Sequence, residues 1–136
     1  MSESKLLIKL FNLSVNRKFT NYKFIIYRYL MDRDRSVIQR LLPFTEYTDS
    51  LVRRGGIVGT LKNCCFDVEN HEWLLSPEVD ILSHLLLPLA GPEEFDDEDN
   101  DKLPISLQYL PETKQREPDV DIRYRSVSIY IIHISR

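Results

Sequence analysis

Apolar residues recur at three- to four-residue spacing in several separate segments, and no strong period-two alternation occurs before the C-terminal segment, so an all-helical fold is expected. Leu6, Leu7, Leu10, Phe11 and Leu13 hold helical spacing up to Ser14, after which "VNRKFTNYKFIIYRYL" has no clear period and reads as helix or strand. In "DRSVIQRLLPF", Ser36 is placed to cap, Val37, Ile38, Leu41 and Leu42 form one stripe, and Pro43 lacks the donor that would continue the helix. Asp49 or Ser50 opens a further helix running to about Phe66.

That helix holds the most unusual string of the chain, "RRGGIVGTLKNCC". At about 100° per residue, Ile57, Val58, Leu61, Cys64 and Cys65 fall within an arc of roughly 120° that faces a core. Gly56, Gly59 and Asn63 lie together on another face, within roughly 60°. An interior glycine costs about 1 kcal/mol relative to alanine, so three in one helix call for close approach of another helix or a bound chain.

Ser76, Pro77 and Glu78 predict a helix start: a capping hydroxyl, a proline at the first position and an acid in the first turn. Val79, Ile81, Leu82, Leu85, Leu86 and Leu89 then cover an arc of roughly 160°, so this helix is packed on more than one side until Pro88 kinks or ends it. Seven acids in the nine residues 93–101 open a loop that continues through three more prolines, Pro104, Pro111 and Pro118. "LFNLS" at 10–14 and "LKNCC" at 61–65 share the frame Leu-x-Asn-apolar-small, 51 residues apart. Such recurrence points to stacked helical units, with one insertion relative to the roughly 40–47 residues of armadillo or HEAT repeats. The expected fold is all-α, an armadillo/HEAT-like α-solenoid fragment. Its divisions are helical repeats over 1–90, an acidic, Pro-containing loop over 91–118, and an atypical C-terminal segment over 119–136.

With 136 residues, 43% of them hydrophobic, the chain has material for one core. No apolar run approaches the ~18 residues of a membrane span, and the N-terminus lacks a signal-peptide pattern, so a soluble, cytoplasmic protein is expected. Adjacent Cys64 and Cys65 are poorly placed for a disulfide and read as reduced. Residues 1–62 carry 12 basic against 5 acidic side chains, and 63–136 carry 6 against 16. The basic residues are scattered, which argues against a nucleic-acid surface.

A phosphate loop needs glycines at a strand-to-helix junction and, in one class, a lysine after them; "RRGGIVGT" has neither. Cys64, Cys65 and His71 make a poor zinc set, and thiols on an apolar stripe lack the electropositive setting of a nucleophile. Neither metal nor cofactor nor catalysis is expected. His84 lies opposite the apolar arc and reads as solvated. Trp73 beside His71 and Glu72 is either a contact anchor or the cover of a core. Asn63 stands out: its amide can pair with the C=O and N–H of an extended chain, with Gly56 and Gly59 letting that chain approach and Arg53 on the same helix. A bridge from Asn63 to a neighbouring helix is the other reading.

The strings "RRGGIVGTLKNCCF" and "LQYLPETKQREPD", within a stretch from about Asp32 to Arg123 that includes "HEWLLSPEVDILSHLLLPLAGPEEF", resemble the eukaryotic HGH family of armadillo-like proteins. The resemblance implies a non-enzymatic adaptor that assists folding of translation elongation factor 2, with the cytosolic chaperonin and Hsp90 as partners. It assigns no client-contact residue, so Asn63, Gly56, Gly59, Arg53 and Trp73 stand on the residues alone. The alternatives are a generic interaction solenoid with a different client and a non-functional truncated product. Family members are longer, and where they continue as a leucine-rich helix this chain has "YRSVSIYIIHISR". A solenoid without terminal caps exposes apolar faces, so the isolated chain is expected to be poorly soluble or partly molten.

Overall fold

A computed structural model describes the backbone of residues 20–134 and side chains within 25–127; the stripe around residues 6–13 lies outside it. Every regular element among the described residues is helical. The segment with ambiguous period is a helix, α1 (Thr20–Leu30). Asp32 then caps a 3₁₀ turn, Arg33–Arg35, by accepting from the Asp34 amide.

Ser36 does not cap as expected. It adopts the left-handed conformation (φ 51°) and joins that turn to α2 (Val37–Leu41) without a side-chain bond. The α-helix ends just before Pro43, as expected, and the chain tightens into a 3₁₀ segment, Leu42–Glu46, which a proline in its first turn permits because no donor is needed there. Ser50 caps α3 (Leu51–Cys64) by accepting from the Arg53 amide, as its sequence predicts.

After a second Asx-capped 3₁₀ turn (Val68–Asn70) comes α4 (His71–Leu75). The expected start at Ser76 is a single turn instead: the Ser76 carbonyl accepts from both Val79 and Asp80 amides, and its hydroxyl donates back to the Trp73 carbonyl. Asp80 turns left-handed (φ 50°), and α5 (Ile81–Leu86) begins after it, passing into a 3₁₀ turn Leu87–Leu89 at Pro88. His84 on α5 is half-buried rather than solvated, and burial lowers its pKa against the opposing pull of Asp80 and Glu46.

The segment expected to be a loop carries two short helices, α6 (Asp97–Asn100), capped by Asp96, and α7 (Ile105–Gln108). The atypical tail forms α8 (Val120–Ile134), and Asp119 accepts from the Ile122 amide at its entry. One core joins α1 to α5 through Ile26, Leu30, Ile38, Leu61, Leu74 and Ile81. Val58, Leu61, Cys64 and Cys65 are buried and Ile57 packs against them, the stripe read from the sequence. Burying such side chains stabilises by about 1.5–3 kcal/mol each, which outweighs the glycine cost within the same helix.

Candidate protein-binding site

Helix α3 places Val52, Gly56, Gly59 and Asn63 along one line, as the 3.6-residue repeat requires, and Phe66 follows in the turn after it. Asn63 is exposed, and Val52 and Phe66 are 70% and 58% exposed. Gly56 and Gly59 are buried, so the bare ridge anticipated between them is part of the packed interior. The Gly56 carbonyl accepts from the Thr60 hydroxyl at 2.9 Å. Arg53 is half-buried, with its guanidinium 5.6 Å from the Tyr47 ring centroid and a 3.5 Å contact to the Tyr47 hydroxyl.

Trp73 takes the core role. It is 6% exposed in the α1–α5 cluster, and the Arg33 guanidinium covers its ring at 5.1 Å, leaving no apolar face for a partner. The reading of Trp73 as a contact anchor is corrected accordingly: its own hydrophobic area is spent inside the fold.

Burial also decides the thiols. Cys64 is pushed up to about 12 by burial and then by its neighbour Cys65, and burial alone pushes Cys65 up to about 12. Protonated, enclosed thiols are poor nucleophiles and poor ligands.

What holds α3 in place was not legible from local pattern. Arg54, buried, donates Nε to Glu117 Oε2 at 2.5 Å and Nη2 to Oε1 at 2.9 Å, across 63 residues. Its Nη1 donates to the Tyr47 carbonyl at 2.9 Å. The Glu117 carboxylate also accepts from the Asp119 amide, and the Glu117 amide donates to the Pro88 carbonyl, both at 2.9 Å. Burial raises the Glu117 pKa, but the Arg54 hydrogen bond, the Asp119 amide and the Arg54 charge together hold the carboxyl below its ordinary value. Arg54 is raised in turn, first by its hydrogen bond to Glu117. Arg123 donates to the Glu117 and Pro118 carbonyls, and Arg125 donates to the Gly55 carbonyl at 3.0 Å. The two most distinctive strings of the sequence therefore meet in one buried, bidentate ion pair.

A concave feature lies between residues 89–95 and 103–116, a groove of about 650 Å³. Sequence reading divided its lining between the end of a helix at Leu86–Leu89 and the loop after residue 90, and so missed it.

This is an all-helical module, and over residues 6–124 it matches a family model described as "Domain of unknown function (DUF383)". Curated relatives carry the name "Protein HGH1 homolog". The Homo sapiens protein is 68% identical over 95 residues, covering 70% of this chain and 24% of its own. The Danio rerio protein is 67% identical over 95 residues, with 70% and 25% covered. The Drosophila melanogaster protein is 54% identical over 91 residues, with 67% and 25% covered. The chain belongs to the HGH family. It spans about a quarter of the length of these relatives.

Proposed function

We propose that the chain is a non-enzymatic, cytoplasmic part of an armadillo-like adaptor that assists folding of translation elongation factor 2 together with the cytosolic chaperonin and Hsp90. Membership of the HGH family carries this reading. The helical architecture is compatible with it, and no helix among the described residues is long and apolar enough to cross a membrane. The client-facing surface in this reading is the outer line of α3. Asn63 presents an exposed amide able to pair with an extended chain without reading its side chains; exposed Phe66 follows it, and buried Gly59 and Gly56 separate it from Val52 and half-buried Arg53.

The test is affinity capture from eukaryotic cytosol with quantitative mass spectrometry. Enrichment of elongation factor 2 with chaperonin subunits is the expected result; reproducible enrichment of a different client without them would replace the reading with a generic interaction module. Asn63→Ala is expected to weaken capture while leaving the far-ultraviolet circular dichroism unchanged. Capture equal to wild type would return Asn63 to a structural role.

A further inference from the structure

A different part of the surface is concave. The groove of about 650 Å³ is floored by Leu86, Leu89, Leu103, Leu107 and Leu110. Its size falls in the range of sites that enclose a compact ligand or the side chains of a docked segment. Glu93, Glu94 and Glu112 stand along it, and Arg116 is the basic residue among its lining. Arg116 is already committed: it is ion-paired with Glu93, and its Nε donates to the Leu89 carbonyl at 2.9 Å. Next to the rim, Asp96, Asp97, Glu98, Asp99 and Asp101 extend the negative field, of which Lys102 neutralises part by bridging Glu98 and Asp99. Beyond these side chains, Phe95 and Tyr109 are exposed.

We infer that this groove docks a segment of a partner protein carrying Lys or Arg beside an apolar anchor. The apolar floor takes the anchor, and the carboxylates attract and orient the cations. Asn100 and Gln108 bring amide side chains to the lining that suit a peptide backbone. A nucleic acid is repelled by this rim, and a bare cation gains nothing from the leucines. The walls are preformed: Arg116 ties residue 89 to the far side, and the Glu117 amide fixes the same strand of chain to Pro88. Preformed walls reduce the ordering cost of binding. The inference goes beyond the adaptor reading and stands on the groove whichever client is captured at α3.

Three short fluorescein-labelled peptides test it by anisotropy with the 136-residue chain: one of alternating Lys and Leu, one with Glu for Lys, and one with Ser for Leu. Saturable binding is expected for the Lys/Leu peptide alone. Glu94→Lys combined with Glu112→Lys should weaken it by roughly tenfold or more. Glu69→Lys with Glu72→Lys makes the same charge change at exposed positions outside the groove and should leave affinity within about twofold. All four positions are exposed, so both variants are expected to melt as the parent does. Equal weakening in the two variants, or a Ser peptide bound as tightly as the Leu peptide, would show attraction to net charge alone and overturn the groove as a docking site. Absence of saturable binding by the Lys/Leu peptide would do the same.

Discussion

Arg54 and Glu117 show how much can rest on two side chains. Removing one member of a buried ion pair leaves the other desolvated and unpaired, at a cost of about 3–5 kcal/mol. Glu117→Gln is therefore expected to lower the unfolding free energy obtained from urea titration by an amount in that range, while Arg54→Met with Glu117→Leu recovers most of the loss. A double variant as unstable as the single would mean that the pair's geometry matters beyond its charge. The pH dependence follows from the depressed Glu117 pKa. The unfolded carboxyl binds its proton more readily, so the pair's contribution is complete above the ordinary carboxylate value and is lost as pH falls through the lower folded value. Acid titration of stability should show this limb in the parent and a flatter one in Glu117→Gln. The thiols offer an independent check: Cys64 and Cys65, raised to about 12 and enclosed, should alkylate slowly when folded and readily in urea. At this scale the sequence revealed the cysteines' place on the apolar stripe, because that depends on helical period alone. Nothing local marks Arg54 rather than Arg53 as the buried one, because its partner lies 63 residues away.

Among the elements, the cap of α3 and the position at which α2 starts were legible, while the missing side-chain bond at Ser36 and the start of α5 were not. Ser50, Ser36 and Ser76 carry similar local signals, yet only Ser50 accepts from an amide at a helix N-terminus. At the other two the backbone turns left-handed, at Ser36 itself and at Asp80, a choice made by where the next apolar stripe must land. Helix α8 is helical although its sequence is rich in β-branched residues, and Ile122 in its first turn is buried against α3. A Cβ at Gly55 would meet Ile122 at 3.5 Å, ordinary van der Waals contact, and no described glycine has positive φ. Gly55→Ala should accordingly stabilise the chain by up to about 1 kcal/mol in thermal or urea melts, through helix propensity and a less flexible unfolded chain. A clear loss would show that α3 and α8 lie closer than this contact allows.

Across the whole molecule, the basic and acidic halves of the sequence are stitched together. Arg54 pairs with Glu117 from one side, and Lys114 pairs with Glu46 at 3.3 Å from the other. The helical character of the described residues was readable from periodicity; the organisation of residues 91–118 was not, because two four-residue helices, one capped by Asp96 and one following Pro104, carry too few apolar positions to register a period. With Gly56 and Gly59 buried, the proposed client contact on α3 rests on the exposed Asn63 near its C-terminal end. A photo-crosslinking amino acid placed at position 63, with one at exposed Glu69 as control, tests that claim most directly when the chain is mixed with purified elongation factor 2. The account predicts a crosslinked product from position 63 and little from position 69; no product at 63, or equal products at both, would contradict it.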